Sequence, residues 1–236
     1  MAQKVEIVDW LIAQIASGEY KAHDKLPSEN KITDLFKVPR ITVRKAYERL
    51  EELGFIYKKQ GKGSYVKDRS QQIELVLSGD VSFTQKMEEK GYNLQTKNVF
   101  CKPIKYNPKI YDYLEVEAND VIYKVGRLRL IDHQPIAIHI SYIAKSVFAD
   151  IDEVGMELTS MFHYFQTRGF TEFNSKPSIL SITFPTKSQR SLFHCSQLIP
   201  FLMLESGCTD KISGKVLEYR KIYYRSDCFS YTIPSL

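Results

Sequence analysis

Hydrophobic residues follow two different periods along this chain of 236 residues. In the N-terminal quarter they recur three and four positions apart, as on one face of an amphipathic helix. This spacing predicts a first helix that Gly18 ends, a second over about 29–36 and a third over about 40–53. Beyond about residue 90, runs of β-branched and aromatic residues between turn residues predict strands. The pattern therefore predicts a small helical domain followed by a larger α+β domain.

Each predicted N-terminal helix has one apolar face that is expected to pack into a common core. Trp10 and Leu11 widen the apolar stripe of the first helix. The residues expected to be buried are Val5, Val8, Ile12 and Ile15 in the first helix, Ile32, Leu35 and Phe36 in the second, and Val43, Ala46, Leu50 and Leu53 in the third.

The segment 26–66 has the order of a winged helix-turn-helix. Ser28 follows Pro27 and is placed to cap the second helix, and Pro39 ends a connection that is long enough only for a turn. After Gly54 ends the third helix, two short basic strands are predicted around a turn over 60–63, whose glycines permit close approach to a phosphate backbone. This order predicts DNA binding, with the third helix in the major groove and the hairpin as the wing.

The start of the third helix carries side chains suited to reading a major groove. Arg40 and Arg44 are four residues apart and share a face, with Thr42 and Lys45 beside them. Guanidinium groups match guanine O6 and N7, while hydroxyl and ammonium groups bind phosphates. Residues 37–69 carry 10 basic against 4 acidic side chains, a net charge of +6. A basic amphipathic helix alone is usually a solvated face, but the continuous order of helix, turn, basic helix and wing favours DNA binding.

Three blocks of this segment are LPSE (26–29), VPRITVRKAYERLEELGFI (38–56) and QGKGSYV (60–66). Together they resemble the DNA-binding domain of the GntR family of bacterial transcription regulators, over about residues 3–67. The resemblance implies contacts to bases or phosphates from the third helix and from the wing. The residues assigned to DNA are Asn30, Arg40, Thr42, Arg44, Lys45, Gln60, Gly61 and Lys62.

Two positions depart from the family pattern. Asn30 stands where many members have arginine, and Pro39 stands where most have serine. Asn30 still offers a hydrogen bond to a phosphate or base but lacks the guanidinium fork, and Pro39 lacks a capping hydroxyl. The operator sequence is therefore left open.

The second domain is predicted to be a largely antiparallel sheet with short helices. Runs over 121–131 and 136–143 flank the turn residues 132–135 and form the expected hairpin, and a polar stretch over 67–72 separates the domains. We expect a DNA-binding domain over 1–69, a linker over 70–77 and the second domain over 78–236. Further strands are expected over about 94–101, 178–184, 201–207, 216–224 and 229–233, with capping boxes at Ser82 and Thr186 and helices from Asn107 and over 157–168.

Five motifs recur here in one order: SFT (82–84), VIYKVGRLR (121–129), QPIAI (134–138), LTSMF (158–162) and GKVLE (214–218), followed by Tyr224-Arg225. They resemble the UTRA effector domain, which marks the HutC subfamily of GntR regulators, over about residues 78–234. The resemblance implies a chorismate-lyase-like fold that senses a small metabolite. It also implies that Ser160, Glu218 and Tyr224 line the ligand pocket.

Arg127 and Arg129 are two residues apart on a predicted strand and therefore project from the same face of the sheet. Two guanidinium groups on one face would attract a phosphate or carboxylate, and the capped helix start at Ser82 could add backbone amides. The alternative is that both arginines pair with carboxylates across the sheet.

His139 stands where sugar-phosphate-sensing relatives commonly have glutamate, and Phe162 where they commonly have tyrosine. Loss of a carboxylate and a phenol changes what the pocket can hydrogen-bond, so the expected ligand is a small anion, with a sugar phosphate as one candidate. His139 is equally a candidate core residue. The residues assigned to the effector are Ser82, Thr84, Arg127, Arg129, His139, Ser160, Glu218 and Tyr224.

The chain lacks the sequence motifs that several other functions require. The chain has no H-E-x-x-H, no G-x-S-x-G and no P-loop, and its five histidines show no ligand spacing. The four cysteines lie too far apart for paired zinc ligands and are expected to be free, mostly buried thiols, so no metal or cofactor is expected. No run of about 18 apolar residues and no apolar leader occurs, so we expect a cytoplasmic protein without a membrane partner.

These observations lead to a hypothesis. The chain is expected to be a homodimeric transcription regulator, by family habit a repressor, whose affinity for a palindromic double-stranded DNA operator is changed by a small anionic metabolite. Two alternatives are a protein-interaction module built on a winged domain and, because of the lyase-like fold, an enzyme.

Overall fold

The computed structural model describes residues 2–68, 72–76, 82–195 and 198–232. Its N-terminal part contains three helices, α1 (Ala2–Ala16), α2 (Glu29–Phe36) and α3 (Arg40–Glu52), and an antiparallel hairpin of β1 (Ile56–Lys59) and β2 (Gly63–Val66). This is the predicted order of helix, turn, helix and wing. No helix among the described residues is long and apolar enough to cross a membrane.

The core of this domain follows the predicted periodicity with two corrections. Val5 and Leu35, both expected inside, are exposed. Ile7 is buried instead of Val5, because the face of α1 that packs on α3 lies further round the helix. Leu35 lies outside because its neighbour Phe36 takes the inner position, where it meets Trp10 edge-on with ring centroids 5.6 Å apart. The buried residues of the core are Ile7, Val8, Leu11, Leu26, Ile32, Val38, Val43, Ala46, Tyr47, Leu50, Ile56 and Val66.

The turn between α2 and α3 is set by local features. The Ser28 hydroxyl caps α2 by accepting from a backbone amide three residues later at 3.2 Å, as predicted. Lys37 ends α2 in the left-handed region at φ 51°, and Pro39 precedes α3 without a side-chain cap. The Tyr47 hydroxyl on α3 donates to the carbonyl of Pro27 at 2.6 Å. This bond ties α3 to the segment before α2.

The larger part of the chain is built on an antiparallel sheet. Its strands lie in the order β4-β5-β6-β10-β9, with β7 and β8 both pairing with the outer edge of β9. The remaining elements are β3 (Ile73–Val76), α4 (Phe83–Glu89), β4 (Leu94–Pro103), α5 (Pro108–Leu114), β5 (Ile122–Ile131), β6 (Gln134–Ala144), α6 (Ile151–Val154), α7 (Met161–Thr167), β7 (Phe173–Ser175), β8 (Ile179–Thr183), α8 (Lys187–Phe193), β9 (Phe201–Asp210), β10 (Val216–Arg225) and β11 (Phe229–Thr232).

Three elements of this part differ from expectation. β3 lies within the segment assigned to the linker and pairs in parallel with β11, which no local pattern indicates. The helix expected over 157–168 is α7 and begins only at Met161, because Ser160 caps it. The capping box at Thr186 is confirmed, whereas Gln85 hydrogen-bonds Glu89, leaving Ser82 as the side-chain cap of α4.

The two parts of the chain meet at the turn between β10 and β11. Lys67 Nζ lies 2.8 Å from Asp227 Oδ2, and Arg225 donates to both carboxylate oxygens of Asp227 at 3.0 and 2.8 Å. Burial would raise the pKa of Asp227, but the two cations hold it well below its usual value. The side chain of Ile199 adjoins Gly54 at the end of α3, where a Cβ would lie 3.6 Å away. The end of the wing is therefore joined to the sheet by a buried ion network.

The cysteines are free thiols, as expected. Only Cys208 is buried, however; the other three, Cys101, Cys195 and Cys228, are half-buried. Burial raises the pKa of the Cys208 thiol to about 12, so it stays protonated at neutral pH. Among the described residues, no group of three histidine, cysteine, aspartate or glutamate side chains is placed to hold a metal ion.

Candidate functional site

Alternate residues of β5, β6 and β10 face a cavity of about 80 Å³ on one side of the sheet. The N-terminal turn of α4 and the start of α7 close it from above, and Leu75 of β3 and Tyr231 of β11 close one side. The structure brings all eight residues assigned to the effector to this cavity: Ser82, Thr84, Arg127, Arg129, His139, Ser160, Glu218 and Tyr224.

Two arginines on β5 are buried in the floor of the cavity. Arg127 is 3 % exposed and donates from Nη2 to the Ser141 hydroxyl at 2.7 Å; Arg129 is 2 % exposed and donates from Nη1 to the Thr159 carbonyl at 2.8 Å and to the Thr96 hydroxyl. Neither arginine forms an ion pair within 4 Å among the described residues. The alternative given above, that both arginines pair with carboxylates across the sheet, is therefore wrong.

Burial without a counter-ion destabilises the charged form of both arginines. Desolvation lowers the pKa of Arg127 to about 10 despite the attraction of Glu218. Desolvation and the neighbouring charge of Arg127 together lower the pKa of Arg129 well below its usual value. With a pKa of about 10, Arg127 remains protonated at neutral pH, so the cavity holds positive charge that protein carboxylates only partly offset.

His139 lies opposite Arg127 on the adjacent strand and is buried. Its ring meets Phe83 edge-on at 4.7 Å and Tyr224 edge-on at 5.9 Å. Burial, and then the charges of the neighbouring arginines, lower the pKa of His139 well below its ordinary value. The imidazole is therefore neutral at physiological pH and has both a donor and an acceptor nitrogen.

Several buried polar atoms around the cavity have no hydrogen-bond partner among the described residues. Most buried polar atoms in proteins have one, so a cluster of exceptions is unusual. Two of these atoms are guanidinium donors and one is a carboxylate acceptor, which together fit a ligand that has both acceptors and donors. These atoms include Arg127 Nε, Arg129 Nε, His139 Nε2 and Glu218 Oε2.

Arg220 was missed by the sequence analysis, yet it lines the cavity. Its Nε donates to Ser206 at 2.7 Å, and its Nη1 lies 3.6 Å from Glu218 Oε2. The signal was available, because Glu218, Arg220, Ile222 and Tyr224 alternate along β10 and so share a face. The pattern was missed because the burial of Arg220 depends on β6 and β9, which flank β10 and come from distant parts of the chain.

Ser82 and Ser160 line the cavity while capping the helices that roof it. The Ser82 hydroxyl accepts from the amide of Gln85 at 3.1 Å, and the Ser160 hydroxyl accepts from the amide of His163 at 3.4 Å. Each hydroxyl keeps its own hydrogen for donation to a ligand. The two serines thus link the position of the roof to the contents of the cavity.

The predicted DNA-reading side chains lie on the exposed surface of α2 and α3. Arg40 and Arg44 extend into solvent but are ion-paired within the domain: Arg40 Nε lies 3.0 Å from Glu29 Oε2, and Arg44 Nε lies 3.3 Å from Glu48 Oε1. Asn30 and Lys45 are exposed, and Thr42 is half-buried. The carboxylates hold the guanidiniums in place without burying them.

The wing carries the other assigned residues at its tip. Gln60, Gly61 and Lys62 are exposed between β1 and β2, and Gly61 adopts a φ of 69°, which favours glycine. Behind the tip, Tyr57 and Tyr65 stack with ring centroids 5.8 Å apart. Lys59, which the sequence analysis did not single out, lies over both rings with Nζ 4.6 Å from the nearer centroid. The ammonium is thus presented beside the tip by two aromatic faces.

Two protein-family models match the N-terminal and C-terminal parts of the chain separately. The model of the gntR family of bacterial regulatory proteins matches residues 3–66, and the UTRA domain model matches residues 89–230. The chain belongs to the GntR family of regulators with a UTRA domain. As a GntR regulator it is a DNA-binding transcription regulator with a small-molecule effector domain.

Curated relatives of this GntR protein match it along nearly its whole length. The probable fructoselysine utilization operon transcriptional repressor of Shigella flexneri is 27 % identical over 225 residues, covering 95 % of this chain and 91 % of that protein. The mannosyl-D-glycerate transport/metabolism system repressor MngR of Escherichia coli K12 is 26 % identical over 230 residues, covering 97 % and 93 %.

Solved structures of similar proteins share the fold. PhnF from Mycobacterium smegmatis aligns with a TM-score of 0.63 at 19 % identity, covering 99 % of this chain and 98 % of that one. The possible transcriptional regulator YydK from Bacillus subtilis aligns with a TM-score of 0.56 at 23 % identity over the whole of both chains. The GntR protein therefore has a winged helix-turn-helix followed by a UTRA domain, as its sequence indicated.

Proposed function

We propose that this protein is a homodimeric repressor whose affinity for a palindromic operator falls when the cavity on the sheet binds a small anionic metabolite. The observation that carries the proposal is the pair of buried arginines, Arg127 and Arg129, whose Nε atoms have no partner among the described residues. Buried charge without a counter-ion is costly, and a bound anion would compensate it. A sugar phosphate is one candidate for this anion.

The names of relatives support repression and a ligand related to sugars. The two curated relatives are named as repressors of systems for fructoselysine and for mannosyl-D-glycerate. By analogy with them, this chain would repress genes for the use of a related compound. The proposal gives the chain no catalytic role and places it in the cytoplasm, where bacterial operators lie.

A homodimer is supported by the outer strand of the sheet. β8 pairs with β9 on one side only among the described residues, and its side chains Ile179, Leu180 and Ile182, followed by Phe184, are exposed. An apolar strand with a free edge is a ready site for pairing with another chain. We propose that a second copy covers it with two-fold symmetry, and binding to a palindromic operator then requires the two α3 helices to lie about 34 Å apart.

The domain limits belong to the same proposal. We assign DNA binding to residues 1–69, the connection to 70–77 and effector binding with dimerisation to 78–236. Operator contacts are assigned to Asn30, Thr42 and Lys45 with the two arginines of α3, and to the wing tip at 60–62. Effector contacts are assigned to the eight cavity residues named above.

Fluorescence anisotropy on labelled DNA from the gene's own upstream region tests the proposal. Binding should weaken with increasing salt, as expected when lysine and arginine displace counter-ions from phosphates. Glucose 6-phosphate, fructose 6-phosphate and inorganic phosphate serve as anionic probes, and at least one should weaken operator binding about fivefold or more at constant ionic strength. Arg127→Gln should abolish that response and keep the affinity for DNA.

Reciprocity makes the outcome decisive. If a probe weakens operator binding, operator DNA must weaken binding of the probe by the same factor in titration calorimetry. Binding of probe and DNA without any mutual effect would refute the regulatory mechanism. Absence of salt-sensitive DNA binding would instead favour a protein-interaction module built on the winged domain.

A further inference from the structure

One end of the cavity holds a carboxylate beside a guanidinium. Glu218 and Arg220 are two residues apart on β10 and both line the cavity. Glu218 is 1 % exposed, and its Oε2 has no hydrogen-bond partner among the described residues. Arg220 Nη1 lies 3.6 Å from this oxygen, which is longer than a hydrogen bond. Oε2 of the buried carboxylate is therefore close to a cation but still lacks a hydrogen-bond donor.

Arg220 is held from two other sides. Its Nε donates to the Ser206 hydroxyl on β9 at 2.7 Å, and its guanidinium carbon lies 5.8 Å from the ring centre of Phe162 in the roof. A guanidinium fixed at Nε and by an aromatic ring loses little freedom when its two Nη groups bind an acceptor. This end of the cavity is thus prepared for an anionic group next to the free carboxylate oxygen.

The opposite end of the cavity holds Arg129, which has no carboxylate within 4 Å among the described residues. Arg129 lies with its guanidinium carbon 5.9 Å from the ring centre of Phe83 and pairs in register with Ala137 of β6. Arg220 pairs with Ser141 of the same strand but from its other side. The two arginines are therefore anchored on opposite sides of β6, with their partners four residues, or roughly 13 Å, apart along it. One cavity has two ends of different chemistry.

We infer that Glu218 and Arg220 form a subsite for the zwitterionic head of the effector, an ammonium and a carboxylate on neighbouring atoms as in an α-amino acid. This inference rests on the proposed function of the cavity as the effector site. The ligand ammonium donates to Glu218 Oε2, and the ligand carboxylate accepts from the Nη groups of Arg220. Together with an anionic group at the Arg129 end, this defines the effector as a phosphorylated or similarly anionic compound that carries an amino-acid group.

The test uses the full-length protein and two matched sets of phosphate monoesters in titration calorimetry. The short set is O-phospho-L-serine, 3-phosphoglycerate with a hydroxyl in place of the ammonium, and phosphoethanolamine without the carboxylate. The long set is O-phospho-L-tyrosine, phosphorylated 3-(4-hydroxyphenyl)propionate and O-phosphotyramine. In at least one set the zwitterion should bind about tenfold or more tightly than both of its partners.

Substitutions assign the preference to the two residues. Glu218→Gln should remove the preference over the compound without ammonium, Arg220→Gln should remove the preference over the compound without carboxylate, and Arg220→Lys should restore part of it. Lys221→Gln is the control, because Lys221 pairs with Glu205 at 2.7 Å and does not line the cavity. Ratios of affinity measured on one variant do not depend on the fraction of protein that is folded.

The outcomes separate this inference from the proposed function. If monoesters bind and weaken operator binding equally with and without the zwitterion, the subsite is wrong and the effector site stands. If the preference appears and depends on both residues while operator binding is unchanged, the subsite stands and the proposed regulation is wrong. If none of the six compounds binds the wild-type protein, the subsite is overturned, and the sugar phosphates of the anisotropy assay decide the proposed function separately.

Discussion

The two arginines of α3 are ion-paired with Glu29 and Glu48 in the free protein. Each carboxylate limits the motion of a guanidinium without desolvating it. When an arginine contacts a guanine, it therefore exchanges its carboxylate partner for the base. We expect Arg44→Ala to weaken operator binding by about 1–3 kcal/mol, the value of a bidentate base contact, in fluorescence anisotropy. Arg49→Ala is the matched control, because Arg49 on the same helix pairs with Glu52 at 3.5 Å and lies outside the assigned residues. An equal loss in both variants would assign the effect to general charge.

His139 gives the effector domain a dependence on pH. Its pKa is lowered in the folded state, so below about pH 6.5 the unfolded chain takes up a proton that the folded chain does not. The contribution of neutral His139 to the free energy of unfolding is therefore fully present above about pH 6.5 and decreases as the pH falls below it. In urea unfolding, the free energy difference between wild type and His139→Gln should change between pH 7.5 and 5.5 by up to about 1.4 kcal/mol per pH unit.

His163→Gln is the control for this experiment. His163 is exposed on α7, so His163→Gln removes a histidine that lies outside the cavity. Titration of carboxylates cancels, since it is common to all three proteins. A pH-independent difference for His139→Gln would mean that the imidazole is solvated.

Sequence reasoning at the residue scale worked where spacing alone decides orientation. Arg127 and Arg129 were expected on one face because strand side chains alternate, and they lie there. Arg220 obeys the same rule and was missed, because burial of a third arginine depends on strands that come together from distant parts of the chain. The prediction that Leu35 is buried was wrong for a related reason. On a short helix, two adjacent apolar residues cannot both face the core, and Phe36 does so here.

At the scale of elements, the pairing of β4 with β5 depends on the absence of a side chain. A Cβ on Gly126 would lie 2.4 Å from the ring of Phe100, which crosses over it. We expect Gly126→Ala to destabilise the domain by about 1–3 kcal/mol, the usual penalty of overpacking, in urea unfolding. Adding Phe100→Leu should recover part of the loss, so that the double-mutant cycle shows coupling. Additive losses would mean that the ring moves aside freely.

Elements that depend on neighbouring residues were predicted from the sequence, whereas pairing between strands that are far apart in the sequence was not. The hairpin of β5 and β6 was expected from its turn, and Asp132 and His133 adopt positive φ values of 48° and 62° as a tight two-residue turn requires. Asn107 and Thr186 cap the helices that their side chains indicated. β3 was not expected, because its partner Phe229 lies 156 positions beyond Ile73 and nothing local indicates the pairing.

At the scale of the whole molecule, the exposed strand β8 should control assembly. Ile182 is 72 % exposed, and Ile182→Lys would place a charge in the proposed interface. We expect light scattering to give the mass of a monomer for this variant and of a dimer for wild type. Ile212→Lys is the matched control, because Ile212 is 75 % exposed on the turn after β9 and should leave the mass unchanged. A dimeric Ile182→Lys protein would remove β8 from the interface.

The ion network at the turn after β10 should make the two domains unfold together. Lys67→Met removes one of the two cations from the buried Asp227 and should destabilise the N-terminal domain by about 1 kcal/mol. Trp10, the only tryptophan, reports unfolding of that domain by fluorescence, whereas circular dichroism reports the whole chain. In the wild type the two midpoints should therefore coincide, whereas in Lys67→Met, which uncouples the domains, the fluorescence midpoint should fall below the dichroism midpoint. Lys211→Met, which breaks an exposed pair with Glu172 at 3.1 Å, should change neither.

The pairing of β3 with β11 also sets an order of events during synthesis. Residues 2–68 contain all the core contacts of the winged domain, so that domain can fold while the ribosome is still making the sheet. β3 follows it directly in the chain but gains its partner only when residues 229–232 have been made. A nascent chain can therefore hold a finished DNA-binding unit long before the strand that joins it to the effector domain is fixed, and a chain that stops early would keep the winged domain without the sheet to which we assign both pairing and sensing.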